Sequence, residues 1–380
     1  MKRDWNLQTE LDDLRAQGLW RELRVLDEAD GPLVQREGRS LVNFSSNDYL
    51  GLCGSVELKT ALQDALQRHG SGAGASRLVC GTHRAHAQLE EALAAFKHTE
   101  AALAFSSGFS VALGVIPALV GAGDTVILDK LSHACLVDAA RLSGATIRVF
   151  PHNHLEKLAR LLATAQGRVL IVTESVFSMD GDTAPLREII QLKEKHGAWL
   201  LLDEAHAVGV LGPQGRGLAA QLGLEDRVDL HMGTLSKALG LSGGYLAASR
   251  RVVDLLINRA RSFIYSTAPP PFLADAAASM LALVAGSAGD LRRETLQNRL
   301  SGLRAAFPGL ERPAAIFPVI LGEETRALQA AESLLEAGFL VPAIRFPTVA
   351  RGAARLRITV GASHSAEQVS GLVDALKGLK

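Results

Sequence analysis

The sequence predicts an α/β protein: a large domain with a mostly parallel sheet covered by helices, and a smaller α+β domain at the C-terminal end. Three observations lead there. Short strand-like runs, "TVILD" (125–129), "TIRVF" (146–150), "RVLIVTES" (168–175), "AWLLLDEAH" (198–206) and "GGYLAAS" (243–249), recur with helical stretches between most of them. Runs that are apolar without alternation belong to strands covered on both faces, as in parallel sheets. After about residue 288 the alternation stops, and a charged helical stretch, "DLRRETLQNRLSGL", leads to "AIFPVIL", another helix and "ARLRITV". A chain of 380 residues is also longer than one compact core serves. The expected division is an N-terminal helix and strand segment (1–49), a large domain (50–287) and a small domain (288–380).

Taken in order, the N-terminal segment has a helical pattern of Leu7, Leu11, Leu14, Leu19 and Leu23, and then "SLVNFSSNDYLGL" reads as a short strand entering a polar turn. In "PLREIIQLKEKHG", Pro185 suits a first turn, Leu186, Ile189 and Ile190 share a face, and Gly197 is a stop signal. Ligands in such sheets bind beyond the carboxyl ends of the strands. The segments that matter most are therefore "SSGF" (106–109), "DKLSHA" (129–134), "ESVFSMDGD" (174–182), "DEAH" (203–206) and "GTLSK" (233–237).

Composition removes several function classes. Forty basic and forty acidic residues cancel, and without a basic run there is no nucleic-acid footprint. Cys53, Cys80 and Cys135 are scattered, which argues against a disulfide framework or zinc site and for buried thiols. The N-terminus lacks the apolar core of a signal peptide, and the most apolar stretch, "SVALGVIPALVGAG", is short and holds Pro117. A soluble, cytoplasmic protein without a membrane span, a metal or a nucleic-acid partner is expected.

Lys237 stands in "GTLSKALG", among small residues and between Leu235 and Leu239. An amine in a dry pocket loses preference for its charged form, and a neutral amine can capture a carbonyl. The plain alternative is a lysine snorkelling out of a loop. Asp203 ends a predicted strand and suits a helix cap, a metal ligand or a partner for a buried cation. An aspartate facing a pyridinium nitrogen, with a lysine reaching an aldehyde, is the pattern of a pyridoxal phosphate enzyme. His133 and His206 also follow strand ends, where an imidazole can stack on an aromatic cofactor or bond a phenolic oxygen. Gly108 in "SSGF" opens an apolar helix, where backbone N–H groups favour a phosphate; a simple cap by Ser106 or Ser107 is the competitor. Arg355 and Arg357 alternate, so both point to one face, either gripping a carboxylate or lying solvated on a strand edge.

Two motifs fail. "GSGAGASR" (70–77) lacks the final glycine spacing of a dinucleotide loop. "GLSGG" (240–244) matches the serine-hydrolase elbow through Ser242, with His364 as a conceivable partner, but the strand-like run follows the serine where an elbow needs it before.

Together "NFSSNDYLGL", "GSGAGASRLVCGTHRAHAQLE", "LSHACLVDAARLSGA", "TESVFSMDGDTAPL", "LLDEAHAVGVLGPQGRG", "GTLSKALG", "IYSTAPPP" and "RLRIT" resemble the α-oxoamine synthase family of pyridoxal phosphate enzymes, in family order and over nearly the whole chain. The resemblance implies the aspartate-aminotransferase-like fold and a decarboxylating acyl transfer to an amino acid. It implies that Lys237 holds pyridoxal 5'-phosphate, that Asp203 pairs with the ring nitrogen, that His133 stacks on the ring and aids the acyl step, and that His206 bonds the phenolic oxygen near Ser178. Gly108, Phe109 and Thr234 would hold the phosphate, and Arg357 the amino-acid carboxylate. Asn47 would lie near the substrate, Arg21 and Thr348 would contact the acyl group, and Thr267 would reach across a homodimer to a shared active site. Chain size and "AIRFPTV" (343–349) resemble the members that join L-alanine to a pimeloyl thioester, carried by CoA or a carrier protein; sister members use glycine. Ala112, Phe346 and Ala350 depart from the family pattern, the last two beside the expected acyl site. A non-catalytic role is disfavoured because Lys237, Asp203 and His133 are all present.

Overall fold

The structure, a computed structural model, describes residues 5–17, 19–308 and 313–379; residues 1–4 of the expected N-terminal segment lie outside it. Three short strands come first: β1 (Glu28–Asp30), β2 (Leu33–Arg36) and β3 (Arg39–Asn43). Seven follow at the centre: β4 (Ala101–Phe105), β5 (Thr125–Asp129), β6 (Thr146–Phe150), β7 (Val169–Glu174), β8 (Trp199–Asp203), β9 (Leu230–Thr234) and β10 (Gly244–Ala248). The last four are β11 (Ile316–Gly322), β12 (Phe339–Leu340), β13 (Ala343–Ile344) and β14 (Ala354–Thr359).

The central sheet has the order β4-β10-β9-β8-β7-β5-β6, with β10 antiparallel to both neighbours and the β9–β8–β7–β5–β6 pairings all parallel. Both faces are covered, as the continuous apolar runs require. Val126, Leu128, Leu170, Val172 and Leu201 pack into one core with the helix Gly108–Leu119, while Ile127, Ile171, Leu200 and Leu202 pack into another on the opposite face. The C-terminal sheet is antiparallel, β11-β14-β13, and β12 leaves it to pair in parallel with β3. One strand from beyond residue 288, β12, therefore completes the sheet of the N-terminal segment.

Several expectations need correction. The first helix is only Leu7–Ala16 and buries none of its residues; Leu19 and Leu23 fall outside it. Their spacing continues the leucine pattern, but Leu19 lines a cavity with Leu328 and Leu335, and Leu23 is exposed. Cys53, in a turn, and Cys80, in the π-helical segment Arg77–Gly81, are exposed, and only Cys135 is buried. Arg355 and Arg357 do share a face, yet both are buried rather than solvated, because β14 is the middle strand of its sheet. In the helix Leu186–His196, Pro185 stands just before the first turn rather than in it, Leu186, Ile189 and Ile190 are buried as their spacing predicts, and Gly197 ends the helix at φ 63°. Among the described residues no single helix is long and apolar enough to cross a membrane.

Candidate active site

The carboxyl ends of β4, β7, β8 and β9, with the turn after β5, deliver the predicted residues to one cleft. Lys237 follows β9 in a turn whose Leu235 and Leu239 are buried, so the expected dry setting is present. Its Nζ lies 3.0 Å from Nε2 of His206. Burial holds the amine below the ordinary lysine value, and the carboxylates of Asp203 and Glu174 oppose that shift.

Asp203, the last residue of β8, uses Oδ1 to accept the N–H of Ala205 at 2.9 Å. Burial pushes its carboxyl up, and the Lys237 cation pulls it back. The next side chain, Glu204, points the other way, as strand geometry dictates, and pairs with Lys97 at 2.5 Å with both side chains fully buried. His206 is buried, and desolvation with Lys237 and Arg357 nearby holds it well below the ordinary histidine value. Its Nδ1 lies 2.5 Å from the hydroxyl of Tyr49.

His133 caps the helix Ala134–Ser143: its Nδ1 accepts the backbone N–H of Cys135 at 3.2 Å. A nitrogen that accepts cannot carry the proton, so the neutral ring holds its proton on Nε2. Its own backbone N–H donates to Oε1 of Glu174 at 2.6 Å. Arg357 is buried and uses three of its five N–H groups: Nε donates to the carbonyl of Ser178 at 2.6 Å, Nη1 to Thr359 Oγ1 at 3.0 Å and Nη2 to Asn47 Oδ1 at 3.1 Å. That brings Arg357, Ser178 and Asn47 together.

At the end of β4, Ser107 caps the helix Gly108–Leu119 through Ser110 N–H at 3.1 Å, leaving the Gly108 and Phe109 end of the helix to face an anion. Thr234 stands beside it; a Cβ on Gly108 would lie 3.8 Å from the threonine Cβ. On the other side, a Cβ on Gly244 would come within 2.6 Å of Gly108 N, so β10 and the helix start approach too closely for a side chain there.

Three expected residues lie elsewhere. Thr267 is exposed and pairs with Ser76 in an isolated bridge. Arg21 and Thr348 share a separate cavity of about 770 Å³ with Trp20, Arg345 and Phe346. Its wall at Pro342 touches the cleft's strand, since Arg357 N donates to the Pro342 carbonyl at 3.1 Å. His364 is structural: it stacks on Phe44 at 4.2 Å and bonds the backbone of Gly361 and Asn43. Ser242 precedes β10, so no hydrolase elbow forms. Two cleft residues escaped the sequence reading. Glu174 ends β7 in register with Asp203, and that shared acidic strand end was the available signal. Tyr49 lies two residues after Asn47, and only folding reveals its contact with His206.

A desolvated lysine, a strand-end carboxylate and a hydroxyl-lined helix start match the aldehyde, ring nitrogen and phosphate of pyridoxal phosphate, so fold and site define an enzyme of the pyridoxal phosphate class. The family model for aminotransferase class I and II matches residues 39–376. The chain is 50% identical over 379 residues to 8-amino-7-oxononanoate synthase of Anaeromyxobacter sp. (strain K), covering 98% of this chain and 94% of the relative. It is 48% identical over 374 residues to the synthase of that name from Geobacter sulfurreducens, covering 97% and 96%. Among solved structures, serine palmitoyltransferase of Sphingomonas wittichii superposes with a TM-score of 0.91 at 33% identity, covering 100% of this chain and 97% of that one. The 8-amino-7-oxononanoate synthase of Francisella tularensis superposes with a TM-score of 0.76 at 27% identity, covering 89% and 97%. The chain belongs to the aminotransferase class I and II family and, within it, to the α-oxoamine synthase family.

Proposed function

We propose that this chain makes 8-amino-7-oxononanoate, for biotin biosynthesis, by condensing L-alanine with a pimeloyl thioester, borne by CoA or a carrier protein, with loss of carbon dioxide. The observation that carries the reading is the meeting of Lys237, Asp203 and Arg357 around one dry cleft. Pyridoxal phosphate, when bound, supplies an aldehyde for an amino group and a ring that takes up negative charge from Cα. Lys237 would hold it, Asp203 would keep its ring nitrogen protonated, His206 and Ser178 would serve its phenolic oxygen, and Gly108, Phe109 and Thr234 its phosphate.

Arg357 grips the alanine carboxylate, and Asn47, already bonded to that guanidinium, borders the bound amino acid. Lys237 Nζ takes the α-proton of alanine. A bond then forms between Cα and the thioester carbonyl carbon, the C–S bond breaks, and the thiolate leaves and takes a proton from water. His133 offers its Nε2–H to the carbonyl oxygen as charge develops there. The carboxyl group departs as carbon dioxide, and Lys237 returns a proton to Cα. The cavity at Arg21 and Thr348 would receive the acyl chain, with Arg21 on its wall to meet a distal carboxylate. Thr267, exposed in one chain, would complete the site of a second copy in a homodimer.

The test crosses alanine, glycine and serine with pimeloyl-, acetyl-, succinyl- and palmitoyl-CoA, with products read by mass spectrometry. The decarboxylated amino ketone from alanine and pimeloyl-CoA supports the reading. Faster turnover of glycine or serine with another acyl-CoA overturns the substrate assignment and keeps the chemistry.

A further inference from the structure

We infer that His152, two residues beyond β6 and outside the cleft, is a positioning residue that aims Arg357 at the amino-acid carboxylate; the inference rests on the reading of Arg357 given above. The imidazole bridges two carboxylates. Nδ1 donates to Asp129 Oδ1 at 3.0 Å, and Nε2 donates to Asp182 Oδ2 at 2.8 Å. An ionised carboxylate only accepts, so both ring nitrogens carry protons and His152 is a cation. Burial alone would lower its affinity for the second proton, but the two carboxylates outweigh that and push the value up to about 10. The edge of the ring also meets Phe177, with centroids 4.4 Å apart.

Each carboxylate controls a loop of the cleft. Asp129 has a fully buried side chain and also accepts the N–H of Leu131 at 2.8 Å and of Asn153 at 2.9 Å. It thereby shapes the turn that leads to His133. Asp182 closes the loop that carries Ser178: its carbonyl accepts the N–H of Phe177 at 3.0 Å, and Val176 bridges to Thr183. Asn153, next to His152, donates to the Thr183 carbonyl at 3.1 Å.

The other side of the same loop is held by the C-terminal sheet. Arg357 Nε donates to the Ser178 carbonyl, and Arg355 Nη1 donates to the Met179 carbonyl at 3.2 Å and to Asp180 Oδ1 at 2.6 Å. Gly181 lies so close to β11 that a Cβ there would sit 2.2 Å from the Ile316 carbonyl oxygen. The loop is thus stretched between one imidazolium and two guanidinium groups. Without the cation at residue 152, Asp129 and Asp182 face each other across an empty space, and Asp182 is drawn toward water. The Ser178 carbonyl moves with the loop, and the Arg357 fork loses the acceptor that fixes its direction. A small error in direction matters for a two-pronged contact.

The experiment uses the holoenzyme and two substitutions, His152→Asn and Asp182→Asn, with Arg357→Lys as reference. Binding of alanine and of ethylamine, an amine of the same carbon skeleton without the carboxylate, is read from the change in visible absorbance. Both substitutions are expected to weaken alanine about tenfold and to leave ethylamine unchanged, with His152→Asn the stronger. The KM for alanine should rise while that for the thioester stays put. Equal weakening of both amines, or of neither, overturns the positioning role and leaves His152 a structural residue. If His152→Asn does not fold, Asp182→Asn, which keeps the shape of its side chain, gives the same readout. If Arg357→Lys leaves alanine binding intact, it is the carboxylate-anchor reading that falls, and the two failures are told apart.

Discussion

Nζ of Lys237, Nε2 of His206 and the hydroxyl of Tyr49 form a line, with His206 3.0 Å from the amine on one side and 2.5 Å from the phenol on the other. One assignment of protons satisfies all three groups. The amine donates to Nε2, Nδ1–H donates to the phenol oxygen, and the phenol donates to Asn47 Oδ1, 3.2 Å away. Asn47 Oδ1 also accepts from Arg357, so the line runs from the reactive amine to the carboxylate anchor.

Tyr49→Phe removes the middle of that line without changing its shape. The loss of one hydrogen bond in a buried setting is about 1–1.5 kcal/mol, so kcat/KM should fall about tenfold. Steady-state kinetics with alanine checks this. An unchanged rate would mean that His206 is oriented by the Lys237 side alone.

Lys237→Ala should reduce turnover by more than about a thousandfold, since both the covalent anchor and the proton carrier are lost. Intact-mass measurement after borohydride treatment gives a separate readout. The parent chain should gain the mass of the reduced cofactor, and the variant should not.

For His133 the capping bond predicts an order among substitutions. Glutamine can place an amide N–H near the position of Nε2, whereas asparagine can only replace Nδ1. His133→Gln should therefore keep about tenfold more activity than His133→Asn. Nitrogen NMR of histidine-labelled protein should find the His133 signal with Nδ1 unprotonated at neutral pH. A proton on Nδ1 would contradict the helix-cap geometry.

Lys97 and Glu204 lie beneath Asp203 with no access to water. Burial alone raises Glu204, but Lys97 and His231 reverse that and bring its carboxyl down from the usual 4.5 to about 2. A carboxyl held lower in the folded chain than in the unfolded one stabilises fully above the unfolded value. That stabilisation is lost as pH falls from 4.5 toward 2. Urea midpoints measured across this range should drop steeply for the parent and less for Glu204→Gln. Lys97→Met strands the carboxylate and should cost roughly 3–5 kcal/mol at pH 7.

The strands most legible in the sequence were those with unbroken Val, Ile and Leu, such as β5 and β8. β4, "AALAF", and β9, "LHMGT", were recognisable only through the functional segments that follow them, because alanine, glycine and histidine carry little strand preference. Lys237, Asp203, His133 and His206 stood out because chemistry collects at strand ends. Glu174 and Tyr49 did not, since their contacts depend on register and on a loop that is distant along the chain. His152 looked like one more loop histidine; the two carboxylates that hold it lie 23 and 30 residues away. Leu19 and Leu23 show the opposite error, where the leucine spacing continues past Ala16, the last residue of the helix.

The pairing of β3 with β12 has a consequence for the chain as it is made. Val42 and Phe339 are partners, so a strand near the start of synthesis waits for one near its end. During elongation β1–β3 can form their own hairpins, but the open edge of β3 stays bare until almost the whole polypeptide has left the ribosome. Translation order thus sets a late checkpoint: a chain truncated before residue 339 lacks the seam that joins its two ends.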